Sequence, residues 1–307
     1  MAEITCKLNN LILRNPLVLA AGILGTSDEL VYRVACAGAG AVTTKSCGLE
    51  ARTGHANPVA LDWGPGLINA IGLTNPGAEK MVEWLVPARD HVRAKGALFF
   101  ASIFAKKIEE FAETARIIAT TEPDLLEVDI SCPNVGELGL PFAAREDTAA
   151  QVTESVKKAI GSLPLAVKLA PNVPDIGGIA RVVEQAGADC ITAINTMPGM
   201  IIDARAARPV LTNRVGGISG PALKPIALRC VAEIAGRVSI PIIGTGGVSN
   251  GIDAVEMIMA GATAVGVGSA VYYHGVGVFN KIAEEMKAFM DEEGYANLEA
   301  MRGKALR

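Results

Sequence analysis

The sequence lacks the residue clusters that build metal centres and disulfide frameworks. None of its six cysteines, at positions 6, 36, 47, 132, 190 and 230, lies in C-x-x-C spacing, and its three histidines are far apart. We therefore expect no structural zinc site and no iron–sulfur cluster held by this chain. Scattered thiols in a long chain favour a reducing cytoplasm.

An excess of positive charge and long apolar runs are also missing. The formal net charge is −4, so we do not expect the basic patch that nucleic acid or an anionic membrane requires. The most apolar runs are about ten residues long, too short to span a bilayer. The N-terminus has no basic segment followed by an apolar one, as a signal peptide would have. We expect a cytoplasmic protein.

Aromatic residues are scarce, at 4% of a chain that is 50% hydrophobic. The core must therefore consist mainly of Val, Ile, Leu and Ala, which suits helices packed closely on a sheet. At about 150 residues per domain, 307 residues would suggest two domains, but α/β barrels of this size form one. No linker rich in Pro, Ser or Gly divides the chain, so we expect a single domain over residues 1–307.

Short apolar runs alternate with longer amphipathic segments from end to end. The runs are continuous, as expected for parallel strands buried on both faces. Predicted strands cover residues 16–21, 41–45, 97–103, 125–131, 164–168, 190–194, 240–244 and 263–267. Predicted helices cover residues 28–37, 77–95, 107–120, 148–160, 176–186, 225–235, 251–260 and 276–293.

Eight such β/α units predict an α/β fold, a single-domain (β/α)₈ TIM barrel. A doubly wound open sheet is the main alternative, but it would require a G-x-G-x-x-G turn after the first strand. The chain reads Ala20-Ala21-Gly22-Ile23-Leu24-Gly25 there. The connections at about 47–75 and 196–224 are too long for plain βα loops, and we expect them to lie over the active site.

Polar residues follow the predicted strands, at the end where barrel active sites form. Lys45 and Lys168 each close an apolar strand, so each requires an anionic partner, either a ligand or a buried carboxylate. Asn134, Asn195 and the loop 69–77 offer amide and backbone groups that suit a flat, neutral ring such as a pyrimidine.

Glycine-rich turns follow the last two predicted strands. Gly244-Thr245-Gly246-Gly247 comes after the seventh and Gly268-Ser269 after the eighth. Backbone N–H groups exposed by glycine can surround a phosphate, and barrels commonly bind one at this place. Tight turns without a ligand are the alternative for each motif taken alone.

Cys132 differs from the other cysteines because it lies past a strand, on the turn Ile130-Ser131-Cys132-Pro133-Asn134. A thiol in this position can move protons. An isolated cysteine is usually a small buried hydrophobe. We expect that role for Cys36, Cys190 and Cys230, and we expect Cys6 and Cys47 to be inert.

These motifs resemble class 1 dihydroorotate dehydrogenases over nearly the whole chain. Besides the Cys132 turn, the resemblance includes Asn69-Ala70-Ile71-Gly72-Leu73, Asn195-Thr196, Gly199-Met200, the run 216–222 and the run 242–247. Class 2 enzymes, which associate with membranes, carry serine in place of the cysteine. The stretch 195–222 is most similar to the class 1B catalytic subunit.

The resemblance implies an FMN-binding (β/α)₈ barrel that oxidises dihydroorotate to orotate in pyrimidine (UMP) biosynthesis. Cys132 would take a proton from C5 while the flavin takes a hydride from C6, and residues 135–145 would form a lid. The implied substrate-binding residues are Lys45, Asn69, Ala70, Ile71, Gly72, Leu73, Asp129, Asn134, Asn195 and Thr196. The implied FMN-binding residues are Ala21, Gly22, Lys45, Ser46, Ser102, Asp129, Lys168, Ile194, Gly220, Gly246, Gly247, Gly268 and Ser269.

A class 1B enzyme also implies an electron-transfer subunit that carries FAD and a [2Fe–2S] cluster and reduces NAD. We expect a homodimer or a heterotetramer with that subunit. Three alternatives remain open: a class 1A-like enzyme that uses fumarate, an FMN oxidoreductase acting on another dihydropyrimidine, and a flavin-free phosphate-binding barrel, either an isomerase or a non-catalytic ligand-binding protein.

Three positions depart from the family pattern: Ala21 replaces the usual serine, and Ser102 and Asp129 each replace an asparagine. The lid also lacks the glycine-rich pattern of class 1B. An ionised carboxylate accepts hydrogen bonds but cannot donate one, and it adds negative charge beside an anionic product. We expect either a protonated Asp129 or a substrate that binds differently.

Overall fold

Eight parallel strands close into a barrel in the computed structural model, which describes residues 2–131 and 142–307. Their order around the barrel follows the chain, and the eighth strand pairs with the first. In chain order, the barrel strands are Leu17–Leu19, Ala41–Thr43, Leu98–Ile103, Leu125–Asp129, Leu165–Leu169, Cys190–Ala193, Ile242–Thr245 and Ala264–Val267. The predicted TIM barrel is confirmed, with every barrel strand inside or within one residue of its predicted range.

Helices follow the barrel strands and form the outer layer. They are Asp28–Cys36, Ala78–Arg93, Ile108–Ala119, Glu146–Ile160, Ile176–Gln185, Lys224–Ala235, Gly251–Met259, Ala270–His274 and Val278–Glu293. Short 3₁₀ helices cover Phe142–Ala144, Pro221–Leu223, Leu298–Ala300 and Lys304–Leu306. The predicted helix 276–293 begins at Val278 instead. A separate short helix precedes it and ends at His274, because the φ of 69° at Gly275 breaks the helical path.

The two long connections form an antiparallel sheet of their own. Its four strands are Met197–Gly199, Gly216–Ser219, Leu67–Asn69 and Ala60–Asp62, in that spatial order. A hairpin of Cys6–Leu8 with Leu11–Leu13 and the pair Ile202–Asp203 with Arg208–Pro209 complete the strands. No sequence pattern predicted these strands, because each has only two to four residues. Pairing of Gly217 with Asn69 joins connection 47–75 to connection 196–224.

The core fills the space between barrel and helices and is mostly aliphatic, as the composition predicts. Four of the largest fully buried side chains in it are aromatic: Phe99, Phe100, Phe111 and Phe279. Across residues 2–131 and 142–307, no helix combines the length and apolarity needed to cross a membrane.

Truncating a side chain between helix and barrel should destabilise the fold strongly. Leu85, on the helix Ala78–Arg93, is fully buried, so Leu85→Ala should lower the free energy of unfolding by about 2–5 kcal/mol. Ile12 is 66% exposed, and Ile12→Ala should change the free energy of unfolding by less than about 0.5 kcal/mol. Urea denaturation checks both, and equal midpoints would contradict this packing.

Candidate active site

The carboxyl ends of the barrel strands bring most of the predicted site residues to one edge of the barrel. Ala20 donates its N–H to the Val267 carbonyl (3.0 Å), which joins the turns after the first and eighth strands. Lys45 donates its N–H to the Gly25 carbonyl (2.7 Å), and Ile194 donates to the Thr245 carbonyl (2.9 Å). The turns are therefore tied to one another by backbone hydrogen bonds. Ala21 is half-buried and Gly22 exposed at this edge.

Cys132, Asn134 and lid residues 135–141 lie outside the described residues. The chain is described again from Phe142, in a 3₁₀ turn whose Phe142 carbonyl accepts a hydrogen bond from the Thr148 hydroxyl (2.8 Å). The roles that the resemblance gives to Cys132 and Asn134 remain predictions.

Glu127 lies at the centre of a buried polar network just inside this edge. The Ser102 hydroxyl donates to Glu127 Oε1 (3.2 Å) and the Thr192 hydroxyl donates to Oε2 (2.8 Å). The Ser46 and Ser102 hydroxyls lie 2.8 Å apart. Glu127 is only 4% exposed. Sequence reasoning missed it, although a lone acidic residue two positions before Asp129 faces the same side of the strand.

Lys168 is buried beside this network without a hydrogen bond to it. Its side chain is 7% exposed, and its ammonium lies 4.0 Å from Glu127 Oε1. In the part of the chain that the structure describes, that ion pair is its one polar side-chain contact. Burying an ammonium whose donors are unused is costly. The site therefore suits a ligand with an acceptor or negative charge next to Lys168.

Asp129, Ser131 and Asn195 form a second cluster at the strand ends. Ser131 donates both its N–H (2.9 Å) and its hydroxyl to Asp129 Oδ1. The Asn195 amide donates to the Ser131 hydroxyl oxygen (2.6 Å) and to Asp129 Oδ2 (3.3 Å), while its own oxygen accepts from the Thr196 N–H (2.8 Å). Asp129 acts only as an acceptor in these contacts. Its carboxyl group therefore fixes Asn195 and the residue immediately before Cys132.

The glycine turn after the seventh strand packs directly on the start of the helix Lys224–Ala235. Gly246 and Gly247 have φ values of 137° and 77°. A Cβ atom on Gly247 would lie 2.7 Å from the Lys224 backbone nitrogen, and one on Gly246 would lie 2.7 Å from Ala227 Cβ. Only glycine fits there, and the backbone N–H groups and the helix N-terminus together suit a phosphate.

Gly220 lies close to Ser269, and Gly268 lies close to Ala20 at the end of the first strand. A Cβ atom on Gly220, whose φ is 90°, would lie 3.7 Å from Ser269 Oγ. One on Gly268 would lie 3.7 Å from Ala20 Cβ, an ordinary contact. The structure thus gathers the predicted phosphate residues at the seventh and eighth strands.

Lys224 does not contribute a free positive charge to this cradle. Its ammonium contacts Asp253 Oδ1 (2.6 Å) and Glu256 Oε2 (2.7 Å). Burial lowers the pKa of Lys224, but hydrogen bonds to these two carboxylates outweigh burial and the pKa is raised. The cradle must therefore bind an anion mainly through backbone N–H groups.

The predicted substrate loop 69–73 is held in shape by residues outside it. The His55 ring nitrogen Nδ1 lies 3.0 Å from the Ala70 carbonyl oxygen. The His55 backbone N–H donates to the Ile71 carbonyl (3.0 Å). The Asn75 amide donates to the Leu73 carbonyl (2.8 Å). Positive φ values at Gly72 (83°) and Leu73 (58°) bend the loop. Sequence reasoning missed His55, and it placed Asn75 in the loop without a structural role, because both roles depend on carbonyls that only the fold brings near.

Gly217 brings this loop's strand close to the strand-end residue Thr196. It pairs with Asn69 across the antiparallel sheet, and a Cβ atom on it would lie 2.0 Å from Thr196 Oγ1. Two predicted substrate-binding segments, Asn69 and Asn195-Thr196, therefore approach each other through a glycine.

Most described cysteines are unsuited to proton transfer. Burial raises the pKa of Cys6 and of Cys47 to about 12, and it also raises the pKa of Cys190 and Cys230. These thiols are protonated at neutral pH and inert. The prediction that Cys36 is buried is wrong: it ends the helix Asp28–Cys36 on the solvent face, away from the buried Val31, Val34 and Ala35.

Comparisons with known proteins agree with this geometry. The family model for dihydroorotate dehydrogenase matches residues 3–290. A protein of Methanocaldococcus jannaschii is 42% identical over 292 residues, covering 95% of this chain and 94% of its own. A protein of Thermoplasma acidophilum is 41% identical over 307 residues, covering both chains fully. One of Pyrococcus furiosus is 40% identical over 306 residues, covering 99% of each. Each is named dihydroorotate dehydrogenase B (NAD(+)), catalytic subunit.

A side chain at Gly247 should destabilise the protein, because its φ is positive and the Lys224 backbone blocks the Cβ position. Gly247→Ala should therefore lower the free energy of unfolding by more than about 1 kcal/mol. Gly277 has a φ of −60°, and a Cβ atom on it would meet no other atom within 4 Å, so Gly277→Ala is the matched control and should not destabilise. Thermal denaturation of the two variants measures the difference. Equal melting temperatures would show that the turn is not packed as described.

Proposed function

The chain belongs to the dihydroorotate dehydrogenase family, and we propose that it is the FMN-containing catalytic subunit of a class 1B enzyme. In this role it oxidises dihydroorotate to orotate in pyrimidine biosynthesis. The observation that carries the proposal is a buried lysine, Lys168, that donates no hydrogen bond to the described residues and lies on the same edge of the barrel as a glycine cradle. The names of relatives that match over the full length support it.

The residues at this edge fit FMN. Its phosphate would fit the cradle of Gly246, Gly247, Gly268 and Ser269, with Gly220 alongside. Lys168 would donate to an acceptor of the flavin ring. The remaining cofactor-binding residues that we propose surround the ring: Ala21, Gly22, Lys45, Ser46, Ser102, Asp129 and Ile194.

When bound, the flavin supplies a hydride acceptor for C6 of dihydroorotate. The chain's own residues orient the substrate and move a proton. Cys132 would take the proton from C5, and Asn69–Leu73, Asn134, Asn195 and Thr196 would hold the pyrimidine with Lys45. Positioning of this kind supplies much of the rate. The hydrogen bonds from Ser131 to Asp129 support the base assignment because they anchor the backbone that leads into Cys132.

We propose that residues 135–145 close over the substrate and exclude water. We also propose that the electrons pass to a second subunit with FAD and a [2Fe–2S] cluster, and then to NAD. The names of the relatives support the partner, because each is called a catalytic subunit and names NAD(+). The assembly would be a heterotetramer built on a homodimer, located in the cytoplasm.

The direct test of this function is anaerobic addition of dihydroorotate to the purified chain. We expect a yellow protein whose flavin absorbance bleaches with dihydroorotate but not with dihydrouracil, which lacks the carboxylate. Fumarate should not restore the colour, whereas NAD with the partner subunit should. A colourless protein that binds no FMN would instead favour a phosphate-binding barrel without flavin, and recovery with fumarate would favour a class 1A-like enzyme.

Replacement of the proposed base should separate chemistry from cofactor binding. Cys132→Ser should retain FMN and slow flavin reduction at neutral pH by about 10²–10⁴-fold, because a serine hydroxyl is much harder to deprotonate and activate than a thiol. Stopped-flow reduction by dihydroorotate measures this rate. Cys36→Ser, at the exposed cysteine, is the control and should leave the rate unchanged. Normal kinetics in Cys132→Ser would exclude Cys132 as the base.

A second candidate function, oxidation of another dihydropyrimidine, is favoured by one observation: Asp129 offers only acceptors to whatever lies beside it. If orotate is the product, the Asp129 charge opposes it. Asp129→Asn should then tighten orotate binding by about tenfold, equivalent to about 1.4 kcal/mol. Asp124→Asn, just before the other end of the same strand, should leave the dissociation constant unchanged. Complete loss of orotate binding in Asp129→Asn would show that the carboxylate has a binding role of its own, and a wild-type chain that binds no orotate would favour the other substrate.

A further inference from the structure

We infer that Glu127 is a positioning residue of the proposed flavin site. It holds two hydroxyl groups and attracts Lys168 at the carboxyl edge of the barrel, and it would lower the reduction potential of a flavin bound there. This inference rests on the proposed function, because it requires FMN at the carboxyl edge of the barrel. It assigns a role to a residue that the resemblance does not place in the site.

The strand register places Glu127 among the proposed flavin residues, level with Ser102 and one layer below Asp129 and Lys168. Glu127 lies opposite Ser102 on the third barrel strand, and Asp129, two residues on, lies opposite Lys168 on the fifth. Lys168 in turn lies opposite Thr192 on the sixth strand. Four neighbouring strands therefore direct one carboxylate, one ammonium and two hydroxyls toward the same volume inside the barrel.

The hydroxyl groups are oriented by Glu127. Ser102 donates to the carboxylate, so its oxygen is free to accept from the Ser46 hydroxyl. Thr192 donates to the other carboxylate oxygen. The chain Ser46 to Ser102 to Glu127 is thus directed inward, away from the edge of the barrel. This explains how Ser102 can replace the usual asparagine, because its hydroxyl donates a hydrogen bond to the Glu127 carboxylate.

Glu127 attracts the Lys168 ammonium without occupying its hydrogen-bond donors. At 4.0 Å the ammonium is attracted to the carboxylate but not hydrogen-bonded to it. Both groups are nearly excluded from water, so the attraction is stronger than at a surface. Lys168 therefore keeps its donors for the ligand. The Lys157–Asp189 pair at the amino end of the barrel differs in two ways. Its charged atoms are in direct contact at 2.6 Å, and its side chains are 28% and 33% exposed.

A buried carboxylate near a bound flavin would have a predictable electrostatic effect. Reduction adds electrons to the ring, and Glu127 opposes this while partly offsetting the favourable charge of Lys168. Removing the negative charge should leave the Lys168 charge less compensated and favour the reduced flavin. A residue that only fills space inside the barrel would not have this effect.

The test compares FMN-loaded wild type with Glu127→Gln, which keeps the shape and removes the charge. We expect the two-electron reduction equilibrium to shift by about tenfold toward reduced flavin, which corresponds to a rise of about 30 mV in midpoint potential. Asp189→Asn removes a lysine-paired carboxylate at the opposite end of the barrel and should leave the potential unchanged. Spectroelectrochemical titration measures the potentials, and FMN titration of each apoprotein measures affinity.

A second variant keeps the test decisive if Glu127→Gln does not fold. Thr192→Val removes one hydrogen bond to Glu127 without removing its charge, so the carboxylate is less stabilised by local dipoles and the flavin's midpoint potential should fall.

An unchanged or raised midpoint potential in Thr192→Val would overturn the inference. So would a Glu127→Gln potential equal to that of wild type. In both cases wild type would still bleach with dihydroorotate, so the proposed function would stand. A wild-type chain that binds no FMN would overturn both.

Discussion

The structure depends on the closure of eight parallel strands into one ring. Closure places every strand's carboxyl end on the same edge, so residues far apart in sequence, such as Ser102, Glu127 and Thr192, become neighbours. It also excludes water from the interior, which makes each polar group there dependent on a partner. The buried network around Glu127 satisfies that requirement, except that Lys168 keeps its hydrogen-bond donors unused by the described residues.

The carboxyl edge of the barrel consists of two parts, the turns that follow the barrel strands and the four-stranded antiparallel sheet formed by the long connections. Backbone hydrogen bonds tie the strand-end turns together, and the glycine turn at Gly246-Gly247 packs against a helix with no room for a side chain. The two long connections add a four-stranded sheet that brings Asn69 near Thr196. In the proposed function the barrel holds the flavin, and the added sheet supplies part of the substrate site. One surface can therefore bind two molecules face to face.

The barrel was predictable because its signal is local: continuous apolar strands alternate with amphipathic helices, and glycines mark the turns. Other features depend on contacts between distant segments. The short strands at residues 60–69 and 197–219 exist only because they pair with one another. Glu127 resembles an isolated charge in an apolar strand until Ser102 and Thr192 are placed beside it. The helical pattern around Cys36 predicts a core position, whereas the orientation of that helix exposes the residue.

The central claim is that this edge binds one flavin between the glycine cradle and Lys168. A crystal structure of the chain with FMN and orotate tests it most directly. We expect a phosphate that accepts hydrogen bonds from the backbone around Gly247 and Ser269, with the Lys168 ammonium in contact with the flavin ring. A flavin bound elsewhere, or a Lys168 that contacts only Glu127, would contradict the claim.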